Sequence, residues 1–230
     1  MPKMVKCGAV VLAGGGSHRV GAENKAFMLL GGKPLIKYVV ERALEVAGAV
    51  RVVIEKSGSP AEYRRLLPEE VQVRCDEISG KGPIAGFVSG MKGLDAEYVA
   101  VLACDTPFVN PAVLKYLFKR AEESGGDLVI PQWPNGYIEP LQAVYRTAST
   151  LRAANDALAK DECKVAILIQ RLRRILCVPV DELKAFDPSL LTFFNVNTAE
   201  DLKRAQGLLE ESKTINGGQP SSRSPRPPWC

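Results

Sequence analysis

Six short runs dense in Val, Ile and Leu punctuate this chain: KCGAVVLA, VRVVIE, VQVRC, YVAVLAC, DLVIPQ and ILCVPV. Taken together they have the flat apolar profile of strands covered on both faces. Segments with helical spacing separate them. PLIKYVVERALEVAG carries Leu35, Val39, Val40 and Leu44 on one stripe, with Pro34 early and Gly48 as a stop. NPAVLKYLFKRAEESGG offers Asn110 as a cap, Pro111 in the first turn and Gly125 at the end. This alternation predicts an α/β fold: three layers, doubly wound, around a mostly parallel sheet. Such folds bind ligands in the crevice outside the carboxyl ends of the strands.

Later stretches are less regular. PNGYIEPLQAVYR reads as two extended pieces around a turn, and DECKVAILIQRLRR as a helical segment with a basic end. Residues 1–212 are expected to form one domain. From Lys213 onward, KTINGGQPSSRSPRPPWC is rich in Gly, Pro and Ser without periodicity, which predicts a disordered tail over 213–230.

The 230 residues, 46% hydrophobic, suffice for one substantial core, and a net charge of +4 spread over 30 basic and 26 acidic residues gives nucleic-acid binding little support. An anionic small molecule fits that balance. The six cysteines form no CxxC pair and no zinc-spaced cluster with the single histidine, His18, so they read as small hydrophobes in a reducing compartment. CGAVVLA is too short for a signal peptide, and no run of ~18 apolar residues suggests a membrane span. The expectation is a cytoplasmic protein.

The first strand runs into Gly14, Gly15 and Gly16, followed by Ser17, Arg19 and Lys25. Glycine at a strand end lets backbone N–H groups approach a phosphate closely. Two common phosphate loops fail the test. The P-loop requires lysine after Gly21, where Ala22 stands, and the dinucleotide fingerprint requires glycine where Arg19 stands. What remains is either a surface loop with solvated charges or a loop whose arginine fork and lysine ammonium neutralise one polyphosphate. A second constellation is YVAVLACDTPFVNP, which puts the Asp105 carboxylate at the end of a central strand. Asn110 and Pro111 already start the next helix, so Asp105 is available to hold Mg²⁺ against phosphates. Thr106 and Pro107 read as turn-shaping residues.

LAGGGSHRVGAENKAFMLLGGKPLI resembles the N-terminal signature of the nucleotidyltransferases, LAGG-x-S-x-R-M-G-x-D-K-A followed by GKPL, in the form found in molybdenum cofactor guanylyltransferases. The resemblance covers residues 7 to about 208 and implies a Rossmann-like nucleotidyltransferase fold. It places Leu12, Ala13, Gly14 and Gly15 at the nucleoside, and Arg19 and Lys25 on the triphosphate. Val20 and Asn24 stand where the family usually has Met and Asp. CDTPF matches the family's C-D-x-P-[FY], which makes Asp105 the magnesium ligand. CDEISGKGPIAGFVSGM resembles a D…GPLAG stretch near the nucleoside, with Asp76 as its carboxylate and residues 82–86 as its loop; Asp76 read by itself suits a solvated loop as well. Near the base, Glu55 stands where the family often has Asn.

Two later segments fall on the acceptor side. In FFNVNTAEDLKRA, an extended Asn195-Val196-Asn197 would turn both amides to one side, either for turn chemistry or for a ligand. The family closes similarly, with its asparagines toward a pterin. YIEPLQAVYR resembles the family's E-P-x-x-A-x-[YF], which sets Glu139 at the acceptor pocket; alone it reads equally as an exposed strand residue.

The resemblance thus implies Mg²⁺-dependent transfer of GMP from GTP to the phosphate of molybdopterin, with Arg19, Lys25 and Asp105 as the catalytic residues. It also implies transient contacts with cofactor-biosynthesis or acceptor proteins. Transfer from CTP, or to a sugar phosphate or cobinamide phosphate, keeps the same chemistry. A nucleotide-binding regulator without turnover is a different class of reading.

Overall fold

In a computed structural model the described residues are 6–14, 24–78 and 80–216. The elements follow in chain order: β1 (Cys7–Leu12), a 3₁₀ turn (Lys25–Phe27), β2 (Leu29–Leu30), β3 (Lys33–Pro34), α1 (Leu35–Leu44), β4 (Ala49–Ile54), α2 (Pro60–Arg64) and β5 (Gln72–Cys75). Then come α3 (Gly82–Met91), β6 (Tyr98–Ala103), α4 (Pro111–Ser124), β7 (Leu128–Gln132), β8 (Gln142–Arg146), α5 (Thr147–Ala159) and α6 (Val165–Gln170). β9 (Ile175–Pro179), α7 (Val180–Leu183), a second 3₁₀ turn (Leu191–Phe193) and α8 (Ala199–Asn216) close the chain.

All six apolar runs are strands of one seven-stranded sheet, ordered β5-β4-β1-β6-β8-β7-β9. Six strands are parallel; β8 alone runs antiparallel, to both β6 and β7. Their flat profile has a direct cause. In β1, Ala9 and Val11 pack into the cluster under α1 and α4, while Val10 and Leu12 pack into the cluster under α3, α5 and α6. Both faces are covered, giving the expected three layers. β1 is flanked by β4 and β6, so the chain winds outward to β5 and then crosses to the other side of β1, creating a switch point at its carboxyl end.

Helix α4 begins and ends where the sequence predicts: Asn110 Oδ1 accepts from Ala112 N at 2.8 Å, and Gly125 closes it in the left-handed region at φ 57°. α3 is finished by a different device. Arg51, 1% exposed on β4, donates to the carbonyls of Gly90 at 2.7 Å and Lys92 at 3.0 Å, with Gln72 Oε1 taking its remaining fork. A buried cation thus satisfies carbonyls that the helix end leaves open.

Three expectations are corrected. The helix of DECKVAILIQRLRR spans only Val165–Gln170, because the backbone N–H groups of Arg173 and Arg174 turn out of helical register to donate to the Asp127 carboxylate, at 3.1 and 3.2 Å. The first extended piece of PNGYIEPLQAVYR is reduced to a single bridge, Gln132 to Ile138, around a turn closed by Trp133 N donating to Tyr137 O at 2.8 Å. α8 continues to Asn216, past the expected tail boundary at Lys213. It starts on a capping box, in which Asp201 N donates to Thr198 Oγ1 and Thr198 N to Asp201 Oδ2. Residues 217–230 lie outside the described residues. Among the described residues no helix is long and apolar enough to cross a membrane.

Candidate active site

The switch point opens into a cavity of about 480 Å³ at the carboxyl ends of β1, β4 and β6. Its floor is set by strand pairing: Ala13 N donates to Val53 O at 2.8 Å, and Cys104 N donates to Leu12 O at 3.1 Å. At Gly14 the chain leaves the sheet across the end of β4. A Cβ at that position would lie 2.8 Å from Glu55 N and 3.0 Å from Glu55 Cγ, so only glycine passes there without displacing backbone. Leu12, Ala13 and Gly14 thereby form one wall of the cavity, with the Glu55 side chain running alongside.

Gly15 and Arg19, assigned above to nucleoside and triphosphate, lie outside the described residues. The chain re-enters at Asn24, whose Oδ1 accepts from Ala26 N at 3.1 Å and so caps the 3₁₀ turn. Its Nδ2 donates to Tyr63 Oη at 2.8 Å, and Tyr63 Oη donates to Ala13 O at 3.4 Å. One phenol therefore ties residue 13 to residue 24. It is packed under Phe27 with ring centroids 4.7 Å apart, and burial pushes it up to about 12, so it stays protonated. An aspartate at position 24 would take the phenol's single proton and leave Ala13 O without it; the asparagine lets that proton pass on.

The 3₁₀ turn projects Lys25 across the cavity. Its Nζ donates to Asn197 Oδ1 at 2.6 Å and stands 3.7 Å from Asp105 Oδ2. Asp105 follows β6 in the turn that Thr106 closes by donating to Ala103 O at 2.9 Å, the turn-shaping role expected of it. Burial raises the Asp105 carboxyl above the usual range, while Lys25 pulls it down. Asp105 O also accepts from Val196 N at 2.8 Å, which lays the Asn195-Val196-Asn197 segment beside it. Val196 is fully buried in a small cluster with Leu30, Leu35 and Ala205; Asn195 lines the cavity and Asn197 reaches Lys25. The alternation read from the sequence thus brings both amides to the cleft side.

Asp76 is placed differently. It lines a side recess with Leu12, Gly14, Glu55 and Gly86, rather than the main cavity. Its Oδ1 is engaged by Ser89 Oγ at 2.9 Å and Ile78 N at 3.2 Å. On the opposite wall Glu139 lines the main cavity, half-buried, with Oε1 accepting from Trp133 Nε1 at 2.7 Å; burial raises its carboxyl against that bond. Tyr63, Tyr137 and Gln142 also line the cavity and escape sequence reading. Tyr63 and Gln142 sit in runs whose only pattern is packing, and Tyr137 in a turn.

Among the described residues no three metal-binding side chains lie together. Among the described residues, the carboxylate of Asp105 stands beside the Lys25 ammonium, with those of Glu55 and Glu139 on the walls to either side. A cavity at the switch point of an α/β sheet, with an ammonium at its mouth, is a place where an enzyme of this class can take an anionic ligand.

Comparison with known proteins makes the class specific. Residues 9–176 match the MobA-like NTP transferase domain. A protein named probable molybdenum cofactor guanylyltransferase from Pelotomaculum thermopropionicum is 34% identical over 211 residues, 92% of this chain and 97% of that one. One of the same name from Methanosarcina mazei is 31% identical over 207 residues, covering 88% and 91%. The crystal structure of molybdopterin-guanine dinucleotide biosynthesis protein A from Archaeoglobus fulgidus aligns with a TM-score of 0.74 and 33% identity, over 89% of this chain and 99% of that one. This chain belongs to the MobA-like NTP transferase family, and it is a nucleotidyltransferase.

Proposed function

We propose that the protein transfers GMP from GTP to the terminal phosphate of molybdopterin or its molybdenum-bearing form, releasing pyrophosphate. The observation that carries this reading is the convergence of Lys25, Asp105 and Asn197 where the glycine-lined wall meets the Glu139 wall. The relatives' names supply the substrates. The choice of GTP also has chemical support in Glu55: at the nucleoside wall it offers acceptors only, which suit the adjacent N–H donors of guanine.

A phosphate monoester has a second pKa of ~6, so the attacking acceptor oxygen is ionised near neutral pH and needs no general base. The chain's work is positioning and charge compensation. Leu12, Ala13, Gly14 and Gly15 hold the nucleoside, with Asp76 and Ser89 ordering the adjoining recess. Arg19 and Lys25 draw the triphosphate to the mouth of β1. As the bond to the leaving group lengthens, they balance the charge gathering on pyrophosphate. Glu139, Asn195 and Asn197 orient the acceptor from the other wall, and Asn197 also fixes the Lys25 ammonium.

Asp105 fits as the residue that would hold Mg²⁺, because that ion needs only one or two carboxylates when phosphates and waters complete its shell. When bound, the ion would neutralise phosphate charge. His18 has no proton to move in this scheme. The test is to supply Mg²⁺ and molybdopterin with GTP or CTP in separate reactions and to follow pyrophosphate. Release with GTP supports the reading; release with CTP alone overturns the base, and nucleotide binding without turnover overturns the activity.

A further inference from the structure

Among the described residues only two buried side-chain polar atoms lack a hydrogen-bond partner, Gln142 Nε2 and Thr150 Oγ1. Thr150 lies on α5, away from the cleft. Gln142 is 2% exposed at the start of β8, paired in register with Leu102 near the carboxyl end of β6, and it lines the cavity. An apolar side chain of the same length would fill this place without desolvating an amide, so an unpaired donor here opposes folding and calls for an explanation. Three residues earlier, Glu139 lines the same wall. Trp133 occupies its Oε1, and Oε2 has no partner among the described residues. The wall therefore holds one unpaired amide donor just beneath its surface and one carboxylate acceptor. At its mouth stands Tyr137, 62% exposed, an aromatic face suited to a flat ring.

We propose that Gln142 and Glu139 together read the lactam edge of the acceptor's heterocycle, the Gln142 amide turning into the cavity so that Nε2 donates to the ring carbonyl while Glu139 Oε2 accepts from the neighbouring N–H. This rests on the acceptor being a pterin, as proposed above. Guanine carries the same edge, a carbonyl beside an N–H. The pterin is favoured by position: the pair sits on the β8 side of β6, across the sheet from the Gly14 and Gly86 recess. A wall that keeps its donor unpaired until the ring arrives would bind a ring lacking the carbonyl poorly.

The test uses the full chain and its Gln142→Met variant, with three readouts: fluorescence titration with a 6-phosphooxymethyl pterin, titration with GTP, and thermal unfolding. Gln142→Met is expected to weaken pterin binding roughly tenfold, a usual effect of losing one buried hydrogen bond. GTP affinity should hold, and the melting temperature should be equal or higher. A carbonyl-free analogue of the same pterin should show the roughly tenfold loss on the unaltered chain and no further loss on the variant. Unchanged pterin binding by Gln142→Met overturns the proposal, as does a fall in melting temperature, which would make the amide a structural donor. Weakened GTP binding alone would assign the pair to the nucleobase instead. If the unaltered chain fails to bind the pterin at all, the acceptor assignment itself fails, and the proposal with it.

Discussion

The two halves of the sheet are built on different terms. On the β5-β4-β1 side every strand is parallel, and three polar groups at the strand ends are already engaged, Asn24 with Tyr63, Tyr63 with Ala13 and Asp76 with Ser89, while the Glu55 carboxylate stays open. On the β6-β8-β7-β9 side one strand is reversed, and the wall it carries holds a buried amide with no partner. Lys25 and Asp105 lie on the seam between them. On the proposed function, the nucleotide wall is largely organised in advance of its ligand, whereas the acceptor wall is completed by it.

The strongest way to break this division is at the seam. Asp105→Asn is expected to lower turnover by about 10³-fold, since it removes the carboxylate that would hold Mg²⁺ against the phosphates. The same change should not harm folding. Burial raises the Asp105 carboxyl, so the folded state prefers it protonated; the ionised form opposes folding above that raised value. Asp105→Asn should therefore melt at or above the parent temperature at pH 7. The gain should shrink as pH falls toward the ordinary aspartate value of about 4, where the parent also becomes neutral. Calorimetry across that range checks the sign.

Lys25→Ala comes next, with a loss of about 10²-fold in kcat/KM for GTP as the phosphate cation goes. It also removes the charge that holds Asp105 down, so the acid limb of the rate profile should move to higher pH. A third variant acts on one wall only. Glu139→Gln should raise KM for the acceptor about tenfold, the scale of one charged hydrogen bond, and leave KM for GTP unchanged. The smallest effect is its mirror image: Tyr63→Phe should raise KM for GTP about fivefold by untying residues 13 and 24, with the acceptor KM unmoved. Steady-state kinetics with each substrate varied in turn read both, and a shift in the wrong KM would erase the distinction between the walls.

The same contrast governs what could be read from the chain. The parallel half is legible because strands buried on both faces must be continuously apolar, and Gly14 and Asp105 stand at their ends as visible interruptions of that run. β8 is less so: QAVYR shows an extended piece but nothing in it encodes direction, and its reversal depends on the turn through Tyr137. α5 was invisible for another reason, its buried stripe being Ala153, Ala154 and Ala157, with little contrast to its exposed face. Asp76 was legible as a carboxylate just past a strand, but its engagement by Ser89 was not, because that bond depends on how α3 sits on the sheet. Gln142 gave no signal, since an unpartnered donor is a property of its surroundings and not of its type.

The central claim is that the α-phosphate of GTP passes to a pterin phosphate across the seam at Lys25 and Asp105. It is tested most directly by following label from α-labelled and γ-labelled GTP, in separate reactions with molybdopterin and Mg²⁺. The α label is expected in a guanine–pterin dinucleotide and the γ label in pyrophosphate. A γ label appearing as inorganic phosphate in a pyrophosphatase-free reaction, or an α label that never leaves GTP, would contradict it.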